Sequence, residues 1–557
     1  MNRNYSRAIS LFILFSVAFI IYSRTFHSPY YLDDHKYICL NQSIRDIRNL
    51  CDIWKFWPTR FITFLSFAVN YRFGQLDVFG YHLANLFIHI CSESLVWWLS
   101  LMTFSMPLMR ETRIHRFANI FALFAALIFV SHPIQTESVT YIYQRATSLA
   151  GFFYLLSLCL YIKARILQEE NNKSIPSDVL LLFSWIIALI AMFTKENTFT
   201  LPLMIILYEF SLFSNDRVKR RYIVPFLILL FVIPILLFFK KPLTFEDIQR
   251  LVNNPIVAGW QYFLTQLRVI ATYIRLLFVP LNQSLAYDYR ISKTLFELPV
   301  IASALFLTVI LIFAFRLFHK YRLISFSIFW FFIILIPDSS IIPLKDVIFE
   351  HRLYLSVVGY SIFLIGIVDY ILGNRDIKKV FLVLLIITIG YSTLTYMRNS
   401  IWSNELMFWN DAVCKSPNKA RVYYGRAIAY QNIGEFHKAI ADYNKVLNAG
   451  PEYHESYYDR GNAYSDKGDF DQAISDYNKA LQLFPNMAEI YNNRGLAYHN
   501  KGDIEHAISD YNRAIELSPN LAEAYNNRAI AYFSKHEYKK SQEDAMKAEA
   551  LGFKTKR

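Results

Sequence analysis

Apolar residues fill long runs over roughly the first 400 positions of this chain and then stop, giving way to a charged, Ala- and Tyr-rich region. A helix needs about 17 to 25 apolar residues to cross the hydrocarbon of a bilayer. By that measure spans are expected near 8–26, 80–104, 116–131, 146–166, 178–194, 197–213, 222–239, 297–318, 322–337, 353–372 and 378–397, eleven in all. The first run follows Arg3 and Arg7, and no small-residue cleavage site comes after it, so it is read as a retained span. The stretch 260–280 is apolar too, but Arg268 and Arg275 lie seven residues apart on nearly one helical face, which predicts an amphipathic helix at the membrane surface.

Beyond Asn404 the pattern changes to a repeat. Segments beginning at Tyr423, Tyr457, Tyr491 and Tyr525 recur every 34 residues, the period of a tetratricopeptide (TPR) helix-turn-helix unit. Small residues (Ala427, Gly461, Gly495, Ala529) allow the paired helices to approach, and Pro451, Pro485 and Pro519 end the second helix. Residues 404–419 read as the second helix of a degenerate earlier repeat. The expected fold is therefore all-α, with a multi-spanning membrane domain over 1–400 and a TPR α-solenoid over 404–557. Solenoid repeats present a concave groove, and Asn492, Asn493, Asn526 and Asn527 fall on first helices, where they either hold an acceptor polypeptide by its backbone or knit neighbouring repeats.

Composition agrees with a membrane protein: 55% hydrophobic, 17% aromatic and only 18% charged. The net charge of +13 does not indicate nucleic acid. Much of it sits in alternate short loops, at Arg110, Arg113 and Arg116, at Lys163 and Arg165, at Arg217, Lys219, Arg220 and Arg221, at Lys320 and Arg322, and at Arg375, Lys378 and Lys379. The positive-inside rule makes those loops cytoplasmic. An odd number of spans then puts the loops 27–79 and 240–296 and the repeats on the extracytoplasmic side, either the periplasmic face of a bacterial inner membrane or the lumen of the endoplasmic reticulum. The five cysteines have no metal-ligand spacing, and Cys39 and Cys51 are either a disulfide or two free thiols.

Polar residues gather on that outer face. Asp33 and Asp34 follow the first span; a carboxylate there suits general-base chemistry, although the pair alone fits a turn or helix cap better. His132, Glu137 and Arg145 lie after the third span, Lys195 and Glu196 between the fifth and sixth, and Glu350, His351 and Arg352 before the tenth. Each alone reads as an interfacial anchor. Together Arg145, Lys195, Arg268, Arg275 and Arg352 could neutralise a donor phosphate, with His132, Glu137, Glu196, Glu350 and His351 as supporting polar groups. The carboxylates establish no metal site.

Taken in order, Tyr31-Leu32-Asp33-Asp34, Trp57-Pro58-Thr59-Arg60, His132-Pro133 through Glu137 to Arg145, Lys195-Glu196-Asn197 and Phe349-Glu350-His351-Arg352 resemble the TMTC-type transmembrane O-mannosyltransferases with TPR domains and their prokaryotic relatives, of the GT-C glycosyltransferase class. The resemblance covers nearly the whole chain, with a shorter repeat array than the animal members have. It implies a polyprenyl-phosphate sugar donor, with mannose the expected sugar, and inverting transfer to Ser or Thr hydroxyls of exported proteins. One carboxylate of the pair would be the base, Asp34 slightly favoured over Asp33. Members of this class differ in whether they need a divalent metal, and no other cofactor is implied. Transfer to a lipid or cell-surface glycan, and a non-catalytic TPR membrane scaffold, are the alternatives.

Overall fold

The computed structural model describes residues 3–171, 175–213, 220–240, 259–339, 344, 346–372, 376–451 and 454–553. Arg217, Lys219 and Arg375 of the basic loops, and 241–258 of the second long loop, lie outside the described residues. Every regular element among those described is helical. The chain divides into two compact units, Met1–Asn404 and Glu405–Arg557.

The first unit is built from α1 (Arg3–Tyr22), α2 (Val78–Phe104), α3 (Ala118–Ser131), the short α4 (Gln135–Thr140), α5 (Arg145–Asn171), α6 (Ile175–Met192), α7 (Leu201–Leu212), α8 (Gly259–Phe278), α9 (Leu298–Leu317), α10 (Arg322–Leu335), α11 (Ser356–Leu372) and α12 (Ile377–Trp402). Side chains set some of the boundaries. Asp77 accepts the Phe79 N–H to start α2, and Asp376 accepts the Lys378 N–H to start α12. Five of these helices, α1, α2, α5, α9 and α12, carry stretches long and apolar enough to cross a membrane. The other apolar helices, at Ala118–Ser131, Pro176–Met192, Tyr222–Leu236, Arg322–Leu335 and Ser356–Leu372, are shorter than the eleven-span reading assumed. For the apolar run at 222–239 the cause is local: Pro225 lies inside the helix Arg220–Leu227, and a 3-10 turn at Ile228–Phe231 separates it from the helix Val232–Lys240.

Helices α5 and α6 pack face to face, where the Ser157 and Ser184 hydroxyls each donate to the other residue's carbonyl oxygen at 2.8 and 2.7 Å. Nearby, Arg165 of α5 pairs with Glu209 of α7 at 2.6 Å, and Tyr161 donates to the same carboxylate, so a buried charge is paired and its acceptors are used. The helix expected at 260–280 forms as α8, with Val269, Tyr273 and Leu277 buried and Arg275 exposed. The first long loop is more ordered than the sequence suggested. It contains the helices Leu50–Phe56 and Phe61–Gly74, pinned where the Ile62 N–H reaches the Phe193 carbonyl and Trp54 packs on Phe61 and Phe193. All five cysteines are free thiols, so Cys39 and Cys51 form no disulfide.

The second unit opens with α13 (Glu405–Lys415) and continues as four helix pairs, α14 (Ala420–Asn432) with α15 (Phe436–Ala449), α16 (His454–Lys467) with α17 (Phe470–Leu483), α18 (Ala488–Lys501) with α19 (Ile504–Leu517), and α20 (Ala522–Ser534) with α21 (Tyr538–Ala550). One ionic tie recurs in every pair: Arg426–Asp442, Arg460–Asp476, Arg494–Asp510 and Arg528–Asp544. Each guanidinium also donates to an Asn of the preceding second helix, Asn410, Asn444, Asn478 and Asn512 in turn. Asn410 belongs to α13, which therefore fills the place of a second helix in an incomplete repeat. The small residues act as the repeat pattern requires. A Cβ added at Gly461 would stand 2.8 Å from the Tyr477 ring, so Gly461→Ala is expected to lower the unfolding free energy of this unit by about 1–3 kcal/mol, measured by thermal unfolding of the full chain.

Candidate active site

The chain leaves α1, and at Leu32 the backbone turns left-handed with φ 43°, a conformation that costs a non-glycine residue about 1–3 kcal/mol. The next two residues have different surroundings. Asp34 is fully buried; its carboxylate accepts the Tyr31 N–H at 3.0 Å and the Tyr143 N–H at 2.7 Å, clamping the loop to the segment before α5. Asp33 is half-buried, its own N–H donates to the Tyr141 hydroxyl at 3.0 Å, and its carboxylate forms no hydrogen bond or ion pair with any described residue. Asp34, slightly favoured as the base from the sequence, thus has both oxygens bonded to backbone N–H groups, whereas the Asp33 carboxylate has no such bond among the described residues.

Burial pushes the Asp34 carboxyl up to about 8, overcoming the two N–H groups that favour its charged form. Between 3.8 and about 8 the folded chain therefore binds this proton more tightly than the unfolded chain does. The stability it contributes is complete below that window and is lost as pH rises through it. In a pH series of unfolding temperatures, Asp34→Asn is expected to fall less steeply across the window than the unaltered chain.

Tyr143 connects this clamp to a charged cluster. Its hydroxyl accepts from Arg60 Nη1 at 2.8 Å, and Arg60 Nη2 pairs with Glu196 at 3.1 Å, while the Thr59 hydroxyl donates to the same carboxylate at 2.7 Å. Burial alone would raise Glu196, but Arg60 and Thr59 hold it at about 2. Next to it, Lys195 Nζ donates to Thr147 Oγ1 at 2.6 Å, and burial lowers its ammonium to about 8, with Arg60 and Arg352 adding repulsion and Asp338 and Glu196 opposing the shift. Arg352 donates to the Asp346 and Val347 carbonyls. His351 feels Lys195, Arg352, Arg60 and Asp338, and burial with the two nearest cations keeps its imidazole well below the usual range. Its Nδ1 lies 2.6 Å from Glu137, whose other oxygen accepts the Glu350 and His351 N–H groups. Lys195, Arg352, Glu137, Glu196 and His351 thus share one neighbourhood, as the sequence suggested. Such a group of desolvated cations suits a phosphate or pyrophosphate ester.

Other expected members have structural work instead. Arg145 is buried with Asn85, Asn70, Ser66 and the Tyr81 carbonyl accepting four of its five N–H groups, and its guanidinium lies 4.7 Å from the Phe67 ring centre, so its main role is to hold these elements together. Arg268 holds the 290–292 segment and Arg275 is an exposed residue bonded to the Leu281 carbonyl. The strongest charges acting on both Lys195 and His351 come instead from Asp338, Arg60 and Arg352. His132 joins the Leu277 carbonyl to the Ile134 N–H. Glu350 is entirely consumed by Arg398, Gln283, Ser284 and Tyr287. In the repeats, Asn492 accepts from Asn527, and Asn493 donates to Tyr458 and Asn462, so three of the four amides knit neighbouring repeats; Asn526 remains half-buried without such a bond. Sequence reasoning did not select Arg60, Tyr143, Asp338 or Arg398. Only Arg60 had a signal, its place in the Trp57-Pro58-Thr59-Arg60 motif.

Tetratricopeptide repeat families match residues 420–453, 461–502, 488–521 and 510–549. A protein O-mannosyl-transferase of Caenorhabditis elegans, F38B6.6, is 24% identical over 469 residues, covering 80% of this chain and 63% of its own length. Human protein O-mannosyl-transferase TMTC4 is 29% identical over 33% of this chain and 27% of its own. Human protein O-mannosyl-transferase TMTC3 is 21% identical over 70% of this chain and 44% of its own. The chain spans less than two thirds of the length of each of these relatives. The second unit is a tetratricopeptide-repeat domain, and the chain's curated homologues are TMTC-type protein O-mannosyl-transferases.

Proposed function

We propose that this chain is a membrane glycosyltransferase that moves a sugar, mannose in the first instance, from a polyprenyl phosphate to a Ser or Thr hydroxyl of a polypeptide. The observation that carries the reading is the Asp33 carboxylate, which has no partner among the described residues and sits next to Asp34, whose bond to Tyr143 leads through Arg60 to the cluster around Lys195 and Arg352. Asp33 takes the proton of the acceptor hydroxyl as its oxygen attacks the anomeric carbon. The carbon–oxygen bond to the phosphate breaks on the opposite face, inverting that carbon, and the bonding electron pair leaves with the polyprenyl phosphate. Lys195 and Arg352 stabilise the charge that develops there, the arrangement in which fixed cations lower a barrier most.

Eleven spans, the shorter apolar helices included, give this unit its membrane topology in the proposal, with the site and the repeats extracytoplasmic. The repeats recruit the acceptor. The test is mass spectrometry of exported proteins from cells with and without the chain. Hexose on Ser or Thr that disappears with the chain supports transfer to protein; an unchanged protein profile accompanied by a lost cell-surface or lipid glycan would redirect the acceptor, and no glycan change at all would leave a scaffold.

A further inference from the structure

Away from the charged cluster, α1, α2 and α5 enclose a second feature at their opposite ends. Asp33 and Asp34 follow the C-terminal end of α1, and Arg145 begins α5, whereas a cavity of about 1050 Å³ lies where α1 begins and where α2 and α5 finish. Arg7 of α1, Arg110 just beyond α2 and Lys163 of α5 line it. None of the three side chains forms a hydrogen bond or ion pair with a described residue, and each residue is partly or fully exposed. Trp97 and Trp98 of α2 form part of its otherwise mainly apolar wall, together with Leu11, Leu101 and Ile166. One carboxylate, Glu169, is also on the lining, where its charge acts on Arg165.

Basic residues at helix ends often do no more than fix topology. Such residues need no recess, and here three line one that also has an aromatic wall. We propose that this cavity binds an anionic glycerophospholipid. The phosphate would be met by the arginine and lysine donors, and the acyl chains by the tryptophan and aliphatic wall. The inference requires only that the first unit lies in a bilayer; it does not depend on the sugar-transfer reading, and its readout contains no transferase step.

The test is native mass spectrometry of the delipidated full chain in uncharged detergent, titrated with phosphatidylglycerol, phosphatidylcholine or glycerol 3-phosphate. Phosphatidylglycerol is expected to bind about tenfold tighter than phosphatidylcholine, and Arg7→Gln/Lys163→Gln to weaken it by about a hundredfold, about tenfold for each of the two charge-assisted hydrogen bonds lost. Arg110→Glu gives an independent reading should the double variant unfold in plain detergent, and is expected to weaken phosphatidylglycerol similarly. Phosphatidylglycerol binding that neither variant changes would overturn the proposal. Displacement of phosphatidylglycerol by equimolar glycerol 3-phosphate would also overturn it, since the site would then take a free phosphate.

Discussion

Asp33→Asn is expected to lower the rate of sugar transfer by about 10²–10⁴-fold, the usual contribution of a general base, with no loss of folded protein. The carboxylate of Asp33 makes no bond that holds the loop, so removing its negative oxygen subtracts chemistry and little structure. Asp34→Ala should behave in the opposite way. Tyr31 and Tyr143 are both buried, and their N–H groups would lose their acceptor, at a cost of about 1–3 kcal/mol for each buried donor left unsatisfied. Activity would then fall because the loop carrying Asp33 loosens, and thermal unfolding would report it directly. Asp34→Asn keeps one acceptor oxygen and should lie between the two. Comparing kcat and unfolding temperature across the three variants separates base from clamp.

Arg398→Met is expected to destabilise the first unit by about 3–5 kcal/mol, the cost of removing one partner from a buried ion pair. Arg398 Nη2 lies 2.8 Å from Glu350, which is fully buried. Burial raises the Glu350 carboxyl, Arg398 pulls it down and nearby Glu137 raises it, and the balance leaves it above the usual carboxylate range. Without the guanidinium, Glu350 would take up a proton, and its hold on Gln283, Ser284 and Tyr287 would weaken. Unfolding of the purified chain in detergent measures the loss. Arg398→Lys should recover part of it, because an ammonium restores the charge without the forked geometry.

Much of the architecture could be read directly from the sequence because the signals are periodic. The 34-residue repeat located every helix pair of the second unit, and the apolar runs located the helices of the first. Apolar length was less informative about helix length: Pro225 and the 3-10 turn at Ile228–Phe231 break the run at 222–239, and the run at 197–213 begins as a 3-10 turn before its helix starts at Leu201. The helix Phe61–Gly74 was missed because it packs against the segment around Phe193, a contact with no local signature.

Of the candidate site, motifs placed neighbouring residues together, as with Lys195-Glu196 and His351-Arg352, but not the role of each, since Glu350 of the same motif is taken up by Arg398, Gln283, Ser284 and Tyr287. Choosing among arginines was not possible from position alone. Arg145 turns inward because Asn85 and Asn70 offer it oxygens from elsewhere in the chain, whereas Arg60 was passed over although it bonds to Tyr143, whose N–H holds Asp34. The distinction between Asp33 and Asp34 depends on which carboxylate finds backbone N–H groups, and one of those comes from Tyr143, 109 residues away.

The central claim is tested most directly by incubating the purified chain in nanodiscs with polyprenyl-phosphate mannose, radiolabelled in the sugar, and a Ser/Thr-rich acceptor polypeptide. The account predicts label on the polypeptide with the unaltered chain and almost none with Asp33→Asn at equal folded concentration. Equal labelling by the two proteins would contradict it.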